Sequence, residues 1–206
     1  RTLNANLIRR VNLGDTLTRT AWRLPHQEAV VEGERRLTYA ELNADVNRLA
    51  NALAGRGFGR GDPILLVAGN CLEFLQTYYA CAKLGAICVP INLLWGPSEV
   101  AYVVEHCGAR AAIVEPQFAP LLGGAALDVF QTPLDGLTAG APDSEPVAYV
   151  EDRDALSYLY TSGTTSAPKG VVGSHTAIYI ESLTAACEVG YGPDWRLAVM
   201  LPLFHT

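Results

Sequence analysis

The stretch Tyr160-Thr-Ser-Gly-Thr-Thr-Ser-Ala-Pro-Lys169-Gly170-Val171 carries the densest chemistry in the chain. Hydroxyls stand at Thr161, Ser162, Thr164 and Thr165, Gly163 lies among them, and Lys169 follows. Such a loop offers backbone N–H groups, O–H donors and one ammonium to a polyphosphate. Glycine lets the backbone approach closely, and lysine acts as a compact point charge. A Walker loop is excluded by order. That motif ends Gly-Lys-Ser/Thr and opens a helix, whereas here Pro168-Lys169-Gly170-Val171 puts no hydroxyl after the lysine and leads into an apolar, strand-like run. An ordinary polar turn has the same composition, because Ser, Thr and Gly are common turn residues. The cation weighs against that alternative. The chain has 13 arginines and only two lysines, Lys83 and Lys169, so a lysine here answers to a need that arginine does not meet.

The four histidines are His26, His106, His175 and His205. His205 follows Leu-Phe in a segment that reads as a strand end, where it lines a pocket or simply caps its edge by hydrogen bonding. Nothing near His175 in sequence gives it a chemical task, so it is read as structural. His26 and His106 have no assigned role. Phe74, Tyr78 and Tyr79 are read as core packing. The five cysteines are odd in number and form no C-x-x-C pair. This speaks against a disulfide scaffold or zinc site and for a reducing cytosol, with the thiols packed as small buried hydrophobes.

The elements that must position the loop alternate. A helix capped by Asp15 runs to about Arg23, and a hairpin joins 28–31 to 36–39 around Glu32-Gly33-Glu34. Thr38 and Glu41 have capping-box spacing, and Leu42, Val46, Leu49, Ala50 and Leu53 follow a helical period behind them. The glycine-rich 55–62 lacks G-x-G-x-x-G spacing and follows a helix, so it is read as a turn. Strands at 63–68, 86–91, 110–114 and 127–131 then alternate with helices at 72–84, 97–106 and 116–122. This implies parallel pairing through right-handed crossovers. Residues 133–154 read as a surface connection and a candidate subdomain joint. Strands at 155–160 and 170–174, a helix over 176–189 and a strand at 197–201 complete the pattern. The fold class is α/β, with mostly parallel sheets flanked by helices.

Composition sets the outer limits. Half of the 206 residues are hydrophobic and 17% are charged, which excludes a disordered chain. No apolar run reaches the ~18 residues of a membrane span. The net charge of −6 argues against a general nucleic-acid binder. That charge is concentrated after residue 103, so an anion site there must rely on N–H groups, hydroxyls and few cations. The chain starts at Arg1 and stops at Thr206 directly after an apolar run, and both ends are read as cuts in a longer protein.

The segment YTSGTTSAPKGVV resembles the phosphate loop of the adenylate-forming superfamily, which includes acyl-CoA synthetases, luciferases and peptide-synthetase adenylation domains. LTYAELN (37–43), residues 61–92, residues 97–114 and LPLFHT (201–206) resemble four further blocks of that family, in the right order and over nearly the whole chain. SGTT, PINLLW and LPLFHT resemble acyl-CoA ligases more than peptide-synthetase modules.

The resemblance implies activation of a carboxylic acid by ATP, with magnesium, to an acyl-adenylate and pyrophosphate, followed by transfer to coenzyme A. It implies that Thr161, Ser162, Gly163, Thr164, Thr165 and Lys169 hold ATP phosphates and that His205 lines the acyl pocket. The family loop usually has glycine where this chain has Ser166, which puts affinity and rate in question more than reaction class. Family members are more than twice this length, so the chain is expected to be part of a large N-terminal domain, inactive without the remainder. Two alternatives stand beside the ligase: an adenylation domain loading a carrier protein, and a non-catalytic module that keeps the fold. The identity of the acid and the oligomeric state are open at this point, and exposed apolar surface is expected where the remaining part docks.

Overall fold

The computed structural model describes residues 7, 10–161, 168–192 and 194–205. Helix α1 (Leu13–Arg23) is capped by Asn12, whose side chain accepts from the Gly14 N–H. Asp15, expected at the cap, lies one turn inside and forms a two-bonded pair with Arg10. The antiparallel hairpin β1 (Glu28–Glu32) and β2 (Arg35–Thr38) leads into α2 (Tyr39–Ala54). The α2 capping box is formed as its spacing predicts: Thr38 Oγ1 accepts from the Glu41 N–H while the Glu41 carboxylate accepts from the Thr38 N–H.

Then comes the alternating unit: β3 (Pro63–Val67), α3 (Leu72–Leu84), β4 (Ile87–Pro90), α4 (Pro97–Cys107), β5 (Ala111–Val114), a 3-10 turn (Pro116–Leu122) and β6 (Asp128–Gln131). Gly85 and Gly108 stop α3 and α4 in the left-handed conformation that side chains disfavour. A one-turn α5 (Asp135–Thr138) follows, then β7 (Ala155–Thr161), β8 (Lys169–Ser174) and α6 (His175–Val189).

The main sheet has the order β6-β5-β3-β4-β7-β8. Its first five strands are parallel, and β8 pairs antiparallel to β7. With one antiparallel pair at its edge the sheet is mostly parallel, as expected. The connection 162–168 is shorter than the roughly dozen residues a parallel crossover needs, so the chain turns back as a hairpin. Strand periodicity sorts the core into two faces. Ile64 and Leu66 of β3 point into a cluster with α2 and α3, whereas Leu65 and Val67 point into one with α4 and the 3-10 turn.

Tertiary contacts add to one expectation and overturn another. Residues 133–154 do more than cover the surface. Leu134, Leu137 and Val150 are buried, and Glu145 reaches the buried Lys83. Residues 197–201 form no strand. The sheet ends at β8 among the described residues, and Leu197, Val199, Met200 and Leu201 are exposed. An apolar run without a neighbouring strand has no ladder to join.

Candidate functional site at the carboxyl edge of the sheet

The chain order reverses between β3 and β5: β3 continues through α3 to β4 on one side, and β5 continues to β6 on the other. In open parallel sheets, ligands bind outside the carboxyl ends of strands where the order reverses. At that point Glu115, just past β5, accepts the Gly69 N–H at 2.7 Å, fixing the turn after β3. Asn70, the next residue, brackets the segment before His205. Its Nδ2 donates to the Leu201 carbonyl at 2.9 Å, and its Oδ1 accepts from the Leu203 N–H at 2.8 Å. Leu203 and Phe204 pack against the α2–α3 side of the core. His205 stays exposed, its N–H on the Pro202 carbonyl and its ring stacked on Phe204. The strand-end position expected for His205 is thus replaced by a turn held at the end of β3.

The other candidate residues are carried by β7, two strands along the same edge. Thr161 ends β7 and pairs directly with Lys169, which begins β8. Both are exposed, and Lys169 has no ion-pair partner among the described residues. Ser162, Gly163, Thr164 and Thr165, together with Ser166, lie outside the described residues. The structure therefore brings Thr161 and Lys169 together at the edge on which the His205 segment also lies.

Sequence reasoning missed what braces this edge. His106, at the last turn of α4, meets the Tyr160 phenol through Nδ1 at 2.7 Å. Tyr102 stacks on the same imidazole, ring centres 5.4 Å apart. Burial, reinforced by neighbouring Cys107, Tyr102 and Tyr158, pushes the Tyr160 phenol up to about 12, so it keeps its proton at neutral pH. Asn70 and Glu115 were missed too; the signal available was their place, one to three residues past a buried strand.

His175 opens α6, fully buried, with Nδ1 accepting the Leu13 N–H at 3.3 Å. Burial drives its pKa down to about 4 although Asp154 pulls the other way. It ties α1 to the β8–α6 junction, as a structural residue would. The thiols are all free; Cys81 and Cys88 are buried as expected, Cys71 and Cys107 are half-buried, and Cys187 is exposed. No group of three or more His, Cys, Asp or Glu among the described residues is arranged to hold a metal ion, so no magnesium ligand is assigned. No helix among the described residues is long and apolar enough to cross a membrane.

The chain is thus an α/β domain with a mostly parallel sheet, and a Ser/Thr-rich sequence joins β7 to β8 at its carboxyl edge. The chain belongs to the AMP-binding enzyme family, which it matches over residues 17–206. It is 34% identical to a long-chain-fatty-acid–CoA ligase of Mycobacterium tuberculosis, covering 95% of this chain and 41% of that protein. It is 35% identical to a feruloyl-CoA synthase of Amycolatopsis, covering 97% and 40%. Among solved structures it superposes on the inhibitor-bound N-terminal domain of FACL13 from Mycobacterium tuberculosis with a TM-score of 0.81 and 33% identity, covering 94% of this chain and 52% of that one. For Bacillus subtilis o-succinylbenzoate CoA synthetase in complex with its acyl-adenylate intermediate, the TM-score is 0.82 at 26% identity, covering 94% and 50%. The chain thus spans about two fifths of the length of these curated relatives.

Proposed function

We propose that the chain is the N-terminal portion of an ATP-dependent acyl-CoA ligase acting on a fatty or aromatic carboxylic acid in the cytoplasm. The observation that carries this reading is the Thr161–Lys169 pair, an exposed hydroxyl-bearing residue and a lysine without an ion-pair partner among the described residues, side by side at the carboxyl edge of a sheet in an AMP-binding enzyme. The ligase names of the relatives support coenzyme A as the acceptor.

A carboxylate is a poor acyl donor, and joining it to AMP makes it a good one. The transition state gathers negative charge on phosphate oxygens, so the protein's task is positioning and electrostatic stabilisation. Lys169 supplies the charge. Thr161, with Ser162, Gly163, Thr164 and Thr165, supplies hydroxyl and backbone donors to the β- and γ-phosphates and steadies the departing pyrophosphate. His205 lines the acyl side of the same edge. Magnesium accompanies ATP, held by residues outside this chain. Residues 133–154 form the joint between subdomains, and the 206 residues alone do not complete the reaction.

The test is ATP–pyrophosphate exchange by the protein from its complete reading frame, with short-chain, long-chain and aromatic acids. Acid-dependent exchange followed by thioester formation with coenzyme A is the expected result. A folded protein that exchanges with no acid overturns the reading. Thioester synthesis by the 206-residue chain alone overturns the claim of incompleteness.

A further inference from the structure

Tyr160 is the residue before the Thr161–Lys169 pair, and its partner across the strands is Gly170. The phenol ring lies over that glycine: a Cβ at Gly170 would stand 3.1 Å from Cζ and 3.3 Å from Cε1 of Tyr160. Any side chain at Gly170 would therefore force the ring to move. The far end of the ring is held from outside the hairpin, because its hydroxyl meets His106 Nδ1 at 2.7 Å and the two rings stand nearly perpendicular, centres 5.6 Å apart. His106 in turn is fixed by the stacked Tyr102, one turn earlier on α4. Tyr102, Tyr158, Tyr160 and Cys107 all pack against the core cluster between α4 and the sheet. The Tyr160–Gly170 pair, one position before Thr161–Lys169, is thus clamped from one side by a helix belonging to a different crossover.

We propose that His106 is a positioning residue for the nucleotide: through the Tyr160 phenol it fixes the Thr161–Lys169 pair, and so the place from which the Lys169 ammonium meets the ATP phosphates. The role rests on the adenylation reading above. His106 touches no reacting atom in it. Its Nδ1 and the phenol oxygen share one hydrogen bond, whose donor is set by the imidazole tautomer. The bond fixes ring orientation, and ring orientation over Gly170 fixes the approach of the two strand ends. Removing either partner frees the ring to rotate away, at the cost of one hydrogen bond and part of a ring contact.

The experiment is steady-state ATP–pyrophosphate exchange by the protein from its complete reading frame, comparing the parent with His106→Ala, Tyr160→Phe, the double variant and His106→Asn. Both single variants are expected to raise KM for ATP about three- to tenfold, the scale of one lost hydrogen bond, with KM for the acid unchanged. The double variant is expected to be no worse than the poorer single one, because the two residues act as one device. His106→Asn keeps an acceptor near the Nδ1 position and is expected to return KM to within about twofold of the parent. A merely structural role would lower the melting temperature without moving KM for ATP. Unchanged KM in both single variants overturns the proposal, as does a double variant whose KM rise is the product of the two. A parent without exchange overturns the adenylation reading and this role together, whereas an active parent with unmoved variants overturns this role alone.

Discussion

Lys83 and Lys169 are the only lysines in the chain, and they occupy opposite settings. The Lys83 ammonium is buried between α2, α3 and the 139–154 connection. It donates to Glu145 at 2.7 and 2.9 Å, to Asn43 at 2.6 Å and to Asn47 at 2.7 Å. Gly14 of α1 lies so close that a Cβ there would sit 2.6 Å from Lys83 Cγ. Lys169 stands exposed at an edge strand. The region around Lys83 has used up its polar groups on itself, whereas the region from β8 onward presents a cation, hydroxyls and exposed Val171, Val172, Ile180 and Leu183. The difference separates a charge that fixes the fold from one left over for a ligand. Residue type alone does not distinguish them.

Cutting the buried side of this contrast should have the largest effect. Lys83→Met leaves the Glu145 carboxylate unpaired in a largely buried site, and the expected loss is about 3–5 kcal/mol in urea unfolding. Replacing Glu145 with leucine in the same chain should recover much of that loss, since a matched apolar pair no longer buries a lone charge. If Lys83→Met unfolds like the parent, the network around it is solvated and the contrast dissolves. Lys169→Ala should do the reverse. Its unfolding midpoint is expected within about 0.5 kcal/mol of the parent's, as at other exposed sites. In the protein from the complete reading frame, its ATP–pyrophosphate exchange should fall about 10²–10³-fold, the scale of losing one donor to developing charge.

Acid should act through buried groups in both regions, His175 at the root of α6 and Glu145 beside Lys83. The His175 imidazole titrates near 6.5 when unfolded and at about 4 when folded, because burial resists its charge. Between those values the unfolded chain binds the extra proton, so stability falls as pH drops from 6.5 towards 4 and levels off below. The full span corresponds to about 3 kcal/mol. Glu145 adds to it. Burial pushes its carboxyl up, but Lys83's charge and the hydrogen bonds from Lys83, Asn43 and Asn47 hold it below the ordinary value, and that stability is lost as acid protonates it. Urea midpoints from pH 7 to 4 check the sign, and His175→Leu should flatten the upper part of the curve.

Local signals were legible in the sequence, and distant ones were not. The Thr38–Glu41 capping box, the stops at Gly85 and Gly108 and the alternating faces of β3 depend on neighbours within a few residues. They were readable for that reason. Lys83 meets a carboxylate 62 positions away, and His106 a phenol 54 positions away, so no window of sequence contains either pair. The apolar run 197–201 carries strand propensity but finds no partner strand. Of the candidate loop residues, Ser162, Gly163, Thr164 and Thr165 rest on residue type and motif resemblance and lie outside the described residues, while the pairing of Thr161 with Lys169 followed only from the antiparallel turn of β8.

The smallest expected effect tests the open side directly. Strand β8 is the sheet's last strand among the described residues, with Val171 and Val172 of neighbouring pleats both more than half exposed. An unpaired edge with apolar side chains is a template for another chain. The 206-residue chain is therefore expected to self-associate with rising concentration in sedimentation velocity. Val172→Lys puts a charge on that edge without touching the Lys83 network. It should shift the distribution towards monomer and change unfolding stability by no more than about 1 kcal/mol, the range of strand propensities. If association persists in Val172→Lys, the contact lies elsewhere, with exposed Leu197, Val199 and Met200 the next surface to charge. If the parent is monomeric at every concentration, the edge is guarded by the twist of the hairpin rather than by a missing partner, and the two sides of the molecule differ less than their side chains imply.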